Sequence, residues 1–188
     1  METLGSLKNH FLIAMPGLDD PFFERSVTYI CEHNDNGAMG LIINHPVEIS
    51  VEDLLAKVEI IVPLTNQQLG KPVYAGGPLA RDRGFVLHTA DLQWRNSIIL
   101  SDDLAITTSK DILKDIGQGL TPNDFLLTLG YSGWEAGQLE SELAENSWLI
   151  IPADNDILFR TPSNQRWQKA LNKLGIEPWQ LVADVGHS

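Results

Sequence analysis

Short apolar runs closed off by turn residues constrain this chain more than any other feature. Residues 10–16, 26–33 and 38–45 read as strands, the first two set around an Asp20-Pro21 step. The second and third flank Asn34-Asp-Asn-Gly37, whose residues tolerate positive φ and favour a tight hairpin. Strands 26–33 and 38–45 are therefore expected to pair antiparallel. Runs of the same kind follow at 72–76, 84–89, 97–100, 104–107, 125–130 and 148–152.

Helix starts are marked by hydroxyl residues. Ser50-Val-Glu-Asp53 opens 51–58, Thr108-Ser-Lys-Asp111 opens 109–116, Ser132-Gly-Trp-Glu135 opens 133–146, and Ser163 precedes 164–174. In the first three, an acid three residues after the hydroxyl is expected to bond back to the cap N–H, and Gly117 and Gly175 are expected to supply stops. Helices follow groups of strands instead of alternating with them, which predicts an α+β fold. The polar stretch Pro63 to Lys71 reads as a mobile loop.

A chain of 188 residues that is 43% hydrophobic is expected to form one domain over residues 1–188, with a core that needs no covalent staple. Its single cysteine, Cys31, excludes an intrachain disulfide, and the opening residues lack the pattern of a signal peptide, so a cytoplasmic protein is expected. No apolar run approaches the ~20 residues that span a bilayer. Lys and Arg total 13 against 25 acids, a net charge of −12 that repels nucleic acid and argues against specific DNA binding. One stretch departs from this average. Between Asp156 and Glu177 there is no acid, but there are Arg160, Arg166, Lys169 and Lys173, and an anion is expected there before anywhere else.

Few residues suggest chemistry. Cys31 and His33, two apart on a strand, are expected on one face beside Tyr29, but a lone Cys in Val-Thr-Tyr-Ile-Cys reads first as a small buried hydrophobe. His33 at the strand end is expected to be the more exposed. Gly130-Tyr-Ser-Gly-Trp134 departs from the G-x-S-x-G nucleophile pattern at its last place, and capping accounts for Ser132 without catalysis. Gly76-Gly-Pro with Arg81-Asp-Arg-Gly84 makes two turns, or offers amides and guanidinium groups to an anion. The histidines are scattered without zinc spacing, so no metal, cofactor or catalytic residue is assigned. Arg166, Lys169 and Lys173 are expected to form a solvated basic face of the last helix, opposite Trp167, Ala170, Leu171 and Leu174.

The wording of several blocks goes further. Phe11-Leu-Ile-Ala-Met-Pro16, Cys31-Glu-His-Asn34, Gly37-Ala-Met-Gly-Leu-Ile-Ile-Asn44, Gly76-Gly-Pro78, Asp82-Arg-Gly-Phe-Val-Leu-His88, Thr107-Thr-Ser109, Leu129-Gly-Tyr131, Gly137-Gln-Leu-Glu140 and the terminal Gly186-His187 closely resemble the bacterial YqgE/AlgH family, from about His10 to the end. The resemblance implies an α+β domain whose bent, bifurcated, largely antiparallel sheet curls toward a pseudo-barrel with helices outside. It carries over no catalytic residue, and the family is sometimes labelled a transcriptional regulator. The reading expected is a non-enzymatic binding or regulatory protein that contacts another protein through Glu32, His33, Asn34, Arg81, Asp82 and Arg83, exposed on one surface. The alternative is an enzyme or small-anion binder using the Arg81/Arg83 loop and His33.

Overall fold

The computed structural model describes residues 5–63 and 67–175. Among these residues, ten strands run β1 (His10–Ala14), β2 (Val27–Asn34), β3 (Gly37–Ile42), β4 (Pro46–Ser50), β5 (Pro72–Ala75), β6 (Leu79–Thr89), β7 (Ser97–Ile99), β8 (Leu104–Thr107), β9 (Phe125–Glu135) and β10 (Trp148–Pro152). Among the described residues, four α-helices join them: α1 (Val51–Lys57), α2 (Lys110–Gly117), α3 (Gln138–Ala144) and α4 (Arg166–Lys173). The hairpin of β2 and β3 forms as its Asn-Gly chemistry predicts, antiparallel with Asn34 opposite Gly37. All nine expected strands are present. Strand β4 was not expected, because Pro46 and the acid Glu48 interrupt its apolar pattern.

The main path of the sheet is β10-β1-β2-β3-β9-β6-β8-β7. It bifurcates at β9. On one edge of β9, Gly133 and Trp134 pair antiparallel with β3, while Thr128 and Leu129 on the same edge pair parallel with β5, which leads on to β4. Two strands share one edge only where the backbones can crowd together. A Cβ on Gly76 would lie 2.3 Å from the Gly130 carbonyl oxygen, and Gly130 sits at φ 78, where a side chain is strained.

Each long strand sends alternate side chains to two different cores. From β1, Phe11 and Ile13 point inward while Leu12 and Ala14 point outward; from β9, Leu126 points inward while Phe125 and Leu127 point outward. That double burial is why the sequence shows continuous apolar runs there instead of polar alternation. The inner core gathers Ile151 of β10 and Leu104 and Ile106 of β8, strands from opposite ends of the path, so the sheet curls into a half-barrel. Ile157, Leu158, Trp167, Ala170 and Leu171 fill its interior, and the Trp167 Nε1–H donates to the Ala14 carbonyl at 2.9 Å. Helices α1 and α2 cover one outer face and α3 the other.

The helix starts divide into one formed box and three different outcomes. Ser50 and Asp53 make the expected reciprocal capping box on α1. The Thr108/Asp111 box does not form, since Ser109 is the cap residue of α2 and its hydroxyl makes no cap bond. The Ser132/Glu135 box does not form either. Strand β9 runs on through Glu135, and α3 begins only after Gly137 at φ 77, with Gln138 accepting the Glu135 N–H at 2.9 Å. The pairing of Gly133 and Trp134 with β3 outweighs the local helix signal. Ser163 opens a 3₁₀ turn ahead of α4. Gly175, at φ 70, follows α4 as expected, but Gly117 lies inside α2 and the left-handed residue after that helix is Gly119 at φ 92. In the stretch expected as a mobile loop, 67–70 is a 3₁₀ turn with Leu69 fully buried, and 64–66 lie outside the described residues.

Candidate functional site

Strand β2 carries a bulge at Cys31: Ile30 faces Gly40, but Glu32 faces Met39. One extra residue inverts the face of everything after it. Cys31 therefore stays with Tyr29 in the inner core, while His33 and its opposite neighbour Ala38 turn to the outer one. The expected shared face of Cys31 and His33 is lost. Cys31 is buried, and burial raises its thiol pKa above its ordinary value, which disfavours the thiolate that a nucleophile needs.

His33 is not the exposed contact residue expected of a strand end; its side chain is 4% exposed. Its Nδ1 accepts the Leu7 N–H at 2.9 Å, which fixes the proton on Nε2, and Nε2–H donates to Glu140 of α3. That bond holds the Glu140 carboxyl below its ordinary pKa. Ser6 Oγ donates to the His33 carbonyl at 3.1 Å, so the hairpin end, α3 and residues 6 and 7 are clasped together. Glu32 and Asn34 are exposed as expected, with Asn34 Oδ1 accepting the Asn36 N–H to close the turn.

The Arg81-Asp82-Arg83 segment belongs to β6 but bulges from it. Leu79 faces Tyr131 and Gly84 faces Leu129, so residues 80–83 stand out against Gly130 alone, with Ala80 at φ 44. Arg81 lies over the Phe22 ring at 5.4 Å and Arg83 over Phe85 at 5.5 Å. Neither has a carboxylate partner among the described residues. Gly76 and Gly77 serve the backbone crossing described above, and Ser132, fully buried, donates from Oγ to the Gly76 carbonyl at 3.1 Å. The Gly76-Gly-Pro stretch is thus committed to the bifurcation.

Three adjoining depressions connect the two predicted segments. Glu32 and Asn34 line one of about 260 Å³ with Met39 and Trp134. Asp82 and Arg83 line another of about 280 Å³ with Thr108 and Lys110. Between them lies an apolar groove of about 310 Å³ that includes Met39, Phe85, Ile98 and Ile106, sharing Glu32 and Met39 with the first and Thr108 with the second. The groove ends at β7, the last strand of the sheet path, where Ile98 is 61% and Ile99 45% exposed. Sequence reasoning missed this centre, because Ile98, Phe85 and Met39 look like any other strand hydrophobes until the sheet curls.

The last helix departs from expectation as well. Lys169 pairs with Asp156 and Lys173 with Asp154, whereas Arg166 is buried, not part of a solvated basic face. Leu174, expected on the apolar face, is 38% exposed. No helix among the described residues is long and apolar enough to cross a membrane.

A curled α+β half-barrel, bifurcated at β9 and carrying a charged, grooved outer edge, defines the class of protein. The AlgH-like family model matches residues 11–179, and the chain belongs to that family. A UPF0301 protein of Idiomarina loihiensis is 59% identical over 185 residues, covering 98% of this chain and 100% of that one. One of Vibrio parahaemolyticus is 55% identical over 97% of this chain and 100% of its own. The solution structure of the AlgH protein from Pseudomonas aeruginosa superposes with a TM-score of 0.78 at 44% identity, covering 97% of this chain and 96% of that chain. A crystal structure from Corynebacterium diphtheriae, 20% identical with a TM-score of 0.70 over 92% and 90% of the two chains, shares the fold.

Proposed function

We propose that this chain is a cytoplasmic, non-enzymatic binding protein that acts by docking another protein across the groove between the Glu32/Asn34 hairpin and the Arg81–Arg83 bulge. The observation that carries the reading is an apolar centre, Met39, Phe85, Ile98 and Ile106, rimmed by Glu32 on one side and adjoined at Thr108 by the depression of Asp82 and Arg83. Stable protein interfaces share this layout of apolar core and polar rim, with arginine prominent among binding hot spots. Strand β7 pairs only with β8 among the described residues, which leaves an edge beside the groove suited to a partner strand. A role in transcription would then be indirect, through the partner, as the acidic charge of the chain favours.

Affinity capture from cell extract with the native protein tests the reading. Arg81→Ala with Arg83→Ala is expected to weaken capture of a specific partner by roughly tenfold, equivalent to about 1.4 kcal/mol, while leaving the melting temperature nearly unchanged. Capture that persists in the double variant and in Ile98→Asp rules out this surface.

A further inference from the structure

Beside the start of α4 lies a cavity of about 350 Å³ whose lining includes Lys71, Tyr74, Phe159, Arg160, Ser163 and Arg166 and, among the described residues, no Asp or Glu. In a chain of net charge −12, three cations around one cavity, of which only Arg160 has a carboxylate partner among the described residues, require a reason. Arg166 is 4% exposed, with Nε donating to the Thr161 carbonyl at 2.9 Å, one terminal nitrogen donating to the Ile43 carbonyl, and the guanidinium 5.1 Å from the Tyr74 ring centre. Carbonyls and a ring orient the charge but do not neutralise it, and a buried charge is costly unless it is paired. Lys71 is half-buried with its ammonium 4.7 Å from the Phe125 ring centre and no salt bridge among the described residues; burial lowers its pKa, against the pull of Asp124. Arg160 reaches Asp124 at 3.4 Å through a largely exposed side chain, and Asp124 does not line the cavity.

We propose that this cavity binds a small phosphorylated molecule, with its phosphate held by Lys71, Arg160 and Arg166. Charge favours phosphate over carboxylate: a phosphate monoester carries about −1.5 to −2 charges and three acceptor oxygens at neutral pH, which answers three cations better than the single charge of a carboxylate. The volume exceeds that of a bare phosphate and has Phe159, Leu126 and Leu127 on its wall, so the ligand carries an apolar or planar body. The site shares no lining residue with the groove, and the two proposals stand or fall separately.

Titration calorimetry of the full chain with inorganic phosphate, phenyl phosphate and benzoate tests it. The expected order is phenyl phosphate tightest and saturable, then phosphate, with benzoate weakest and all binding reduced by added salt. Lys71→Gln is expected to weaken phenyl phosphate by about tenfold or more, Arg160→Ala by less, and Arg81→Ala with Arg83→Ala not at all. Absence of saturable binding, binding unchanged in both Lys71→Gln and Arg160→Ala, or benzoate binding more tightly than phenyl phosphate would each overturn the proposal.

Discussion

His33 commits both ring nitrogens inside the fold, and removing the ring leaves the Leu7 N–H without its acceptor. His33→Ala is accordingly expected to cost on the order of 1–3 kcal/mol in urea unfolding, with loss of hydrogen-exchange protection at the Leu7 amide. Unchanged stability would show that the clasp contributes nothing. The pair also sets a pH dependence. Hydrogen bonding from His33 lowers the folded-state pKa of Glu140 below its ordinary 4.5, so the stabilisation is complete above that value and is lost as pH falls through the lower, folded one. Acid titration of stability should therefore be less steep below pH 4.5 in Glu140→Gln than in the native chain. At Ser132, Ala removes one buried hydrogen bond to Gly76 and is expected to cost about 1 kcal/mol. A serine-hydrolase probe should leave Ser132 unlabelled, because no histidine among the described residues bonds to its hydroxyl and the residue is fully buried.

Among the elements, α3 shows how a short helix is secured. Its seven residues bury only Leu139, too little apolar area for independent stability. Glu142 supplies the fastening: one carboxylate oxygen accepts the indole N–H groups of Trp134 on β9, at 3.1 Å, and Trp148 on β10, at 2.9 Å, while the other accepts Gln138 Nε2. Phe23 packs against both indoles, edge-on to Trp148 at 5.3 Å. Glu142→Ala strands two donors on largely buried indoles and is expected to cost roughly 2–4 kcal/mol, whereas Glu142→Gln keeps an acceptor oxygen and should cost less. Paired chemical denaturation curves would separate them, and equal losses would contradict the acceptor role. Helix α1 had its boundary written locally, through the Ser50/Asp53 box. Helix α3 did not, since the β3 pairing that extends β9 over Gly133 and Trp134 involves residues nearly a hundred positions away.

Across the whole molecule, the acidic charge and the placement of its cations decide what can approach. Lys169 and Lys173 are neutralised by Asp156 and Asp154, and Arg166 is inside the fold, so α4 offers no basic recognition face to a duplex. A mobility-shift titration at physiological salt should accordingly find no sequence-selective binding in the range of about 10⁻⁸ to 10⁻¹¹ M typical of specific DNA-binding proteins. Selective binding there would contradict an indirect regulatory role.

Period-two and continuous apolar runs, the Asn-Gly turn and the Ser50 box were readable along the chain because each depends on residues within a few positions of one another. They determined nine strands, the β2–β3 hairpin, the start of α1 and the α+β class. The extra residue at Cys31, the sharing of one β9 edge by β3 and β5, and the curl that brings β8 and β10 to one core depend on partners distant in sequence. Those long-range pairings alone decided that His33 is buried against the outer core, that Ser132 sits in a strand, that Arg166 is buried, and that Met39, Phe85 and Ile98 form one groove. A side chain's identity is local, but its solvent exposure is set by what the fold packs against it.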